Sequence, residues 1–320
     1  MADLGIKGLK FTSSPHISYG ERPCDLMRLV IVSLIPIAVY GVMLFGLDAL
    51  LKIIVSVACA IGFEALFQYL TKQQITVKDC SAAVSGLIFA LALPPACPLW
   101  QTVLGIFFGI VVAKGFFGGL GSNIYNPALA GRAFLFVSFP SSMSSSWIVP
   151  GTDAVTSATI LSQVKEGAVS ADGLTYMKYF LGNRAGCIGE TNILLIILAF
   201  VFLLATKVID WRATVSMIVT VAVATFISGG DALLALLTGS LAFCSVFLLT
   251  DYATTPVTKQ GRIAFGIGCG LITFIIRRFG TYPEGFIFSI LIMNSLKAFL
   301  DNIPGFIYGH KNAKKTEAKK

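Results

Sequence analysis

Leu26-Met-Arg-Leu-Val-Ile-Val-Ser-Leu-Ile-Pro-Ile-Ala-Val-Tyr-Gly-Val-Met-Leu-Phe-Gly46 carries no charge beyond Arg28. A helix needs about 20 mostly apolar residues to cross the hydrocarbon core of a bilayer, and this stretch supplies them. Further runs of the same character follow at about 50–70, 80–95, 100–117, 124–140, 191–207, 212–229, 232–250, 262–278 and 284–301. The chain is 56% hydrophobic and 12% charged, against roughly 25% charged in a soluble domain. These runs predict an all-α polytopic membrane protein of about ten transmembrane helices. Some are interrupted: 80–95 ends in Pro94-Pro95, and 124–140 opens on Asn126-Pro127. Broken helices survive at membrane depth where they line a cavity and neighbouring protein satisfies the freed backbone.

Lys and Arg collect on the cytoplasmic side of membrane proteins. The basic tail (Lys311, Lys314, Lys315, Lys319, Lys320) and the N-terminal arm (Lys7, Lys10, Arg22, Arg28) then share that side. Lys72, Lys78, Lys114, Lys207, Arg212, Lys259 and Arg262 fall on it too, and only Arg277-Arg278 breaks the pattern. The expected layout is an N-terminal arm at 1–24, a membrane half at 25–140, an external connection at 141–190, a second half at 191–305 and a basic tail at 306–320. The net charge of +8 follows from this topology signal and the tail. No aromatic-basic module accompanies it, which argues against a nucleic-acid partner. Seven cysteines, at 24, 59, 80, 97, 187, 244 and 269, show no metal-ligand spacing and read as small buried hydrophobes.

Within the external connection lies a polar island, Asp153-Ala-Val-Thr156-Ser157-Ala158-Thr159. Its pattern is the one a flavin transferase reads when it links FMN phosphate to a threonine hydroxyl. Ser157 and Ala158 leave room around the alcohol, and Asp153 offers a carboxylate for recognition. The bland alternative is a solvated linker. A second stretch, Lys114-Gly-Phe-Phe-Gly-Gly-Leu-Gly-Ser-Asn123-Ile-Tyr-Asn126-Pro127-Ala128, combines glycines that permit close approach with a helix start at Asn126-Pro127. Capping explains Asn126. Asn123 has the amide inventory to hold a polar ring edge of a flavin or quinone. Glu64 sits well inside a span, which makes it a candidate stop for a cation or proton. The run from Thr250 to Arg262 reads as a cytoplasmic turn with Pro256 as breaker, in which Asp251 could line a cavity or meet a partner.

The asparagine stretch, the Asp-x-x-Thr-Ser-Ala-Thr loop and the run Thr250-Asp251-Tyr-Ala-Thr-Thr255-Pro256-Val257-Thr258-Lys-Gln-Gly261-Arg262 occur in this order. Together they resemble the D-subunit family of the Rnf electron-transport complex, related to the B subunit of sodium-pumping NADH:quinone reductase. The resemblance covers essentially residues 19–305. It implies covalent FMN on Thr159, a noncovalent riboflavin beside Asn123 and Asn126, and two inverted five-helix halves like those of urea and ammonium channels. It further implies a bacterial inner-membrane subunit of a ferredoxin:NAD oxidoreductase that moves sodium ions or protons. Its partners would be an extracytoplasmic FMN-bearing subunit, membrane and iron–sulfur subunits, membrane lipid, and a flavin transferase for maturation. The commoner family pattern has Gly in place of Ser157 and a hydroxyl residue in place of Ile160, but the attachment position is intact. The competing reading, a permease for a small polar solute, accounts for the broken helices yet gives no use to the Thr159 motif.

Overall fold

Two long helices, α1 (Pro23–Phe45) and α2 (Leu47–Leu70), open the part of the chain that the structure describes, and both are long and apolar enough to cross a membrane. The structure is a computed structural model and describes residues 23–144, 147–148, 155–156, 173–182, 184–280 and 285–302. The buried residues of α2 are Ala49, Lys52, Ser56, Ala60, Glu64 and Gln68, which recur at helical spacing along one face. Leu50, Leu51, Ile54, Leu66 and Tyr69 point outward and are exposed. In water that amphipathicity would be inside out. Lipid makes it sensible, because the small and polar face seals against protein while the leucines meet acyl chains. Met43, Ile227 and Phe279, each 78% exposed, extend the same apolar surface, far beyond the patches that soluble monomers show. The architecture is that of an all-α membrane protein.

After a short 3-10 turn at Val77–Asp79 come α3 (Ser81–Leu91) and α4 (Leu99–Phe107), the latter running into a π-helical segment at Phe108–Gly115. Then follow α5 (Pro127–Ser138), α6 (Pro140–Ser144) and a two-residue antiparallel pair, β1 (Trp147–Ile148) with β2 (Val155–Thr156). The rest of the described chain holds α7 (Gly173–Leu181), α8 (Ile193–Ala205), α9 (Trp211–Ile227), α10 (Ala232–Leu237), α11 (Leu241–Phe247), α12 (Lys259–Phe279) and α13 (Phe286–Ser295). Across the chain α1 packs on α8 and α5 on α13, while α2 packs on α3 and α9 on α12. The contact that α5 makes with α4 and its π-helical extension is backbone to backbone. A Cβ on Gly109 would collide with the Pro127 carbonyl, and one on Gly131 with the Gly105 carbonyl, which is the role small residues play between membrane helices.

Two expected spans differ from the sequence reading. The 80–95 run is helical only to Leu91, and 232–250 is two short helices separated at Thr238–Ser240 rather than one. Each break frees carbonyls, and each is met by a cation from a neighbouring helix. Lys52 of α2 donates to the Pro95 carbonyl. Arg277 of α12 donates to Ala235 O at 2.9 Å and Thr238 O at 3.4 Å. Arg277 therefore breaks the charge rule for a structural reason: it holds a helix break together.

The end of the expected external connection is also less external than its polarity suggests. Ile188 and Gly189 donate their N–H groups to Leu93 O at 3.2 Å and Leu91 O at 2.7 Å. Cys187 and Ile188 are fully buried. Residues 184–190 thus fold back onto the end of α3.

Candidate functional site

Asn126 begins the site by capping α5. Its Oδ1 accepts from the N–H of Ala128 at 3.0 Å and of Leu129 at 3.3 Å, two of the donors that every helix start leaves unpaired. This orientation aims the amide Nδ2 away from the helix, where it donates to Asp251 Oδ2 at 3.1 Å. Asp251 lies just past α11 and accepts as well from the Thr254 hydroxyl at 3.2 Å and the Ala253 N–H at 3.4 Å. Burial pushes its carboxyl above the usual range, opposed by these hydrogen bonds and by Lys297. The neighbouring Tyr252 phenol is pushed up to about 12 by burial, then by Asp251 and Asp79.

Lys114 enters from the π-helical segment. The sequence reading placed it among the cytoplasmic anchors, yet it is only 2% exposed. Its ammonium lies 2.5 Å from Glu64 Oε1 and donates to Ser81 Oγ at 2.7 Å. Desolvating an ammonium and a carboxylate is costly, and such a pair persists only when each charge has a close partner. Here the Glu64 carboxylate of α2 and the Ser81 hydroxyl at the first turn of α3 supply that. Glu64 Oε2 has no hydrogen-bond partner among the described residues.

Lys114, Ser81, Asn123, Asn126 and Asp251 line one cavity of about 80 Å³, closed by Met27, Val84, Leu203 and Phe247. Its walls come from both ends of the chain, so neither half encloses it alone. Asn123 donates Nδ2 to the Tyr125 carbonyl at 3.0 Å, while its Oδ1 is buried without a partner among the described residues. A vacant buried acceptor is expensive, and it suits a ligand N–H. The structure therefore brings Asn123 and Asn126 together as expected, and adds Asp251 and Lys114. It brings Glu64 to the same place, one ion pair behind the cavity wall.

A wider vestibule of about 410 Å³ adjoins it, lined by Lys207, Asp210, Trp211, Arg212, Tyr252 and Arg262. Asp210 bridges Arg212 at 2.6 Å and Arg262 at 2.7 Å. Burial works to raise its carboxyl, but the Arg212 N–H and the two guanidiniums outweigh it and hold the carboxyl below its usual range. Among the described residues no group of three or more His, Cys, Asp or Glu side chains is arranged to hold a metal.

Asp153, Ser157, Ala158 and Thr159 lie outside the described residues. Thr156 is placed by its backbone alone, paired in register with Trp147, whose indole is buried.

Residues 10–305 match the NQR2, RnfD, RnfE family. The chain belongs to that family. Within it, the chain is 40% identical over 314 residues to the D subunit of the Na(+)-translocating ferredoxin:NAD(+) oxidoreductase complex of Acetobacterium woodii, covering 97% of this chain and 98% of the relative. It is 39% identical over 319 residues to the D subunit of the Proton-translocating ferredoxin:NAD(+) oxidoreductase complex of Clostridium ljungdahlii, covering 94% and 96%. It is 32% identical over 317 residues to the D subunit of the Ion-translocating oxidoreductase complex of Stutzerimonas stutzeri, covering 87% and 89%. The family membership drawn from three ordered motifs is thus borne out along nearly the whole chain.

Proposed function

We propose that this chain is a membrane subunit of an Rnf-type complex, in which electrons cross the membrane through covalent FMN and a second flavin while ferredoxin:NAD oxidoreduction drives sodium or proton translocation. The reading is supported by family relatives whose names specify ferredoxin:NAD(+) oxidoreductase complexes. Because one of those names specifies sodium and the other protons, similarity leaves both coupling ions in play. The inner membrane, ten spans in two inverted halves and cytoplasmic termini belong to the same proposal. The pairing of α1 with α8 and of α5 with α13 suits two halves that meet through equivalent helices.

The observation that carries the second-flavin assignment is the vacant Asn123 Oδ1 beside the Asn126–Asp251 hydrogen bond. Asn123 would accept from the imide N–H of an isoalloxazine, while Asn126 and Lys114 face its carbonyl edge. A bound flavin would supply one- and two-electron transfer. The residues fit its polar edge, but 80 Å³ falls short of the roughly 300 Å³ at which small-molecule pockets begin. Admission therefore requires α1 and α3 to part. Glu64, with Lys114 as its counter-ion, is the candidate ion stop. Thr159 is the proposed phosphoester position, with Asp153, Thr156, Ser157 and Ala158 as its recognition sequence.

The deciding experiment is the intact mass of the denatured subunit purified from its native host. A mass raised by one esterified FMN supports the assignment. A mass equal to the bare polypeptide overturns it.

A further inference from the structure

Cys24 and Cys80 are 56 positions apart in the sequence, yet both thiols converge on one atom. Cys24 Sγ donates to the Lys78 carbonyl at 3.2 Å, and Cys80 Sγ donates to the same oxygen at 3.6 Å. The two thiols are themselves side-chain neighbours, and both are half-buried rather than sealed in the core. The backbone adds an independent sign. Cys80 precedes α3 in the left-handed region at φ 57°, making no side-chain capping bond. Gly or Asn suits that conformation, and a Cys held there is strained. Neither capping nor conformational preference explains a cysteine at this position, whereas its sulfur has a nearby partner.

We propose that Cys24 and Cys80 are a reversible redox site, closing to a disulfide when the surrounding thiol pool is oxidised. Formation joins the two sulfurs and releases two protons and two electrons. Peroxide would take both, its O–O bond breaking to give two waters; a small-molecule disulfide would take both by exchange and leave as two thiols. On the orientation expected from Lys and Arg, both residues face the cytoplasm, where disulfides are transient and redox-sensing. The bond would staple the start of α1 to the turn that launches α3. Met27, one turn after Cys24, and Ser81, next to Cys80, both line the cavity. Oxidation would then fix the width of the cavity between these helices. The site stands apart from the flavin assignment, since neither thiol touches the proposed ring contacts.

The test is diamide treatment of membranes holding the whole complex. Diamide's azo nitrogens take the two thiol hydrogens as the S–S bond forms. Peptide mapping should yield a Cys24–Cys80 linked pair that dithiothreitol dissolves, while Cys97, Cys187, Cys244 and Cys269, all buried, stay unlinked. The oxidised wild-type subunit should unfold at higher temperature than the reduced one, and Cys24→Ser and Cys80→Ser should show no such shift. A map without the linked pair overturns the site. A linked pair without a shift in unfolding temperature overturns the staple.

Discussion

Asn126 and Asp251 are 125 residues apart in the chain and 3.1 Å apart in the fold. One amide thereby performs two tasks: its oxygen caps α5, and its nitrogen holds a buried carboxylate from the other half. Asn126→Ala removes a cap worth about 1 kcal/mol and strips a partner from Asp251 at about 1–3 kcal/mol more. Asn123→Ala deletes an acceptor that has no partner among the described residues, so its cost to folding is small. The two variants therefore separate structure from binding. We expect noncovalent riboflavin per covalent FMN to fall in both, but the melting temperature to fall only in Asn126→Ala. An unchanged flavin ratio in both would remove the second flavin from this cavity.

Thr159→Ala should abolish flavin that survives denaturation and leave membrane insertion intact. In-gel flavin fluorescence reads the outcome directly. A fluorescent Thr159→Ala band would place the attachment elsewhere.

Glu64 and Lys114 should behave as one unit. Removing one member of a buried pair typically costs about 3–5 kcal/mol. Lys114→Met or Glu64→Gln alone should therefore lower the unfolding temperature sharply, with the Glu64→Gln/Lys114→Met double variant recovering much of the loss. Transport in reconstituted vesicles should stay low in the double variant despite that recovery. Normal ion flux without Glu64 would contradict its role as an ion stop.

Much of this was legible in sequence, and the rest has a common physical cause. Composition and apolar run length point to a membrane protein, the Asn126-Pro127 dipeptide marks a helix start, and Glu64 declares itself by depth. Each of these is a local signal. Lys114, by contrast, looks like an anchor ahead of a glycine-rich loop, because its partner Glu64 belongs to another helix. The partners of Asp251 and Arg277 and the Cys24–Cys80 pair escaped for the same reason. Periodicity and caps report a residue's own turn of backbone, whereas buried charges and thiols take their meaning from neighbours that only folding supplies.

Impermeant thiol labelling should find single cysteines introduced at 165–175 from outside and at 311–320 from the cytoplasm. Labelling of both sets from one side would overturn the even-span topology and, with it, the proposed direction of electron passage.

Acid should reach the vestibule through Asp210. Its carboxyl lies below the usual 3.8 in the folded chain, so the stability it contributes is present above pH 3.8 and is lost as pH falls through the lower folded value. Asp210→Asn should flatten that acid limb in thermal unfolding measured across pH. An unaltered limb would show that the Arg212 and Arg262 contacts contribute nothing to the folded state.

The π-helical segment at Phe108–Gly115 gives the buried ammonium a property that a regular helix would deny it. A π-turn amounts to an α-helix with one residue in surplus. Such a surplus resembles a dislocation in a lattice: it can change place while the material on either side stays where it is. Relocating it past Lys114 would swing that side chain by roughly 100°, one residue's rotation, with the Gly109 crossing and the glycine loop left in position. A charge inside the membrane could thus be turned toward or away from Glu64 without sliding a helix or rocking a domain.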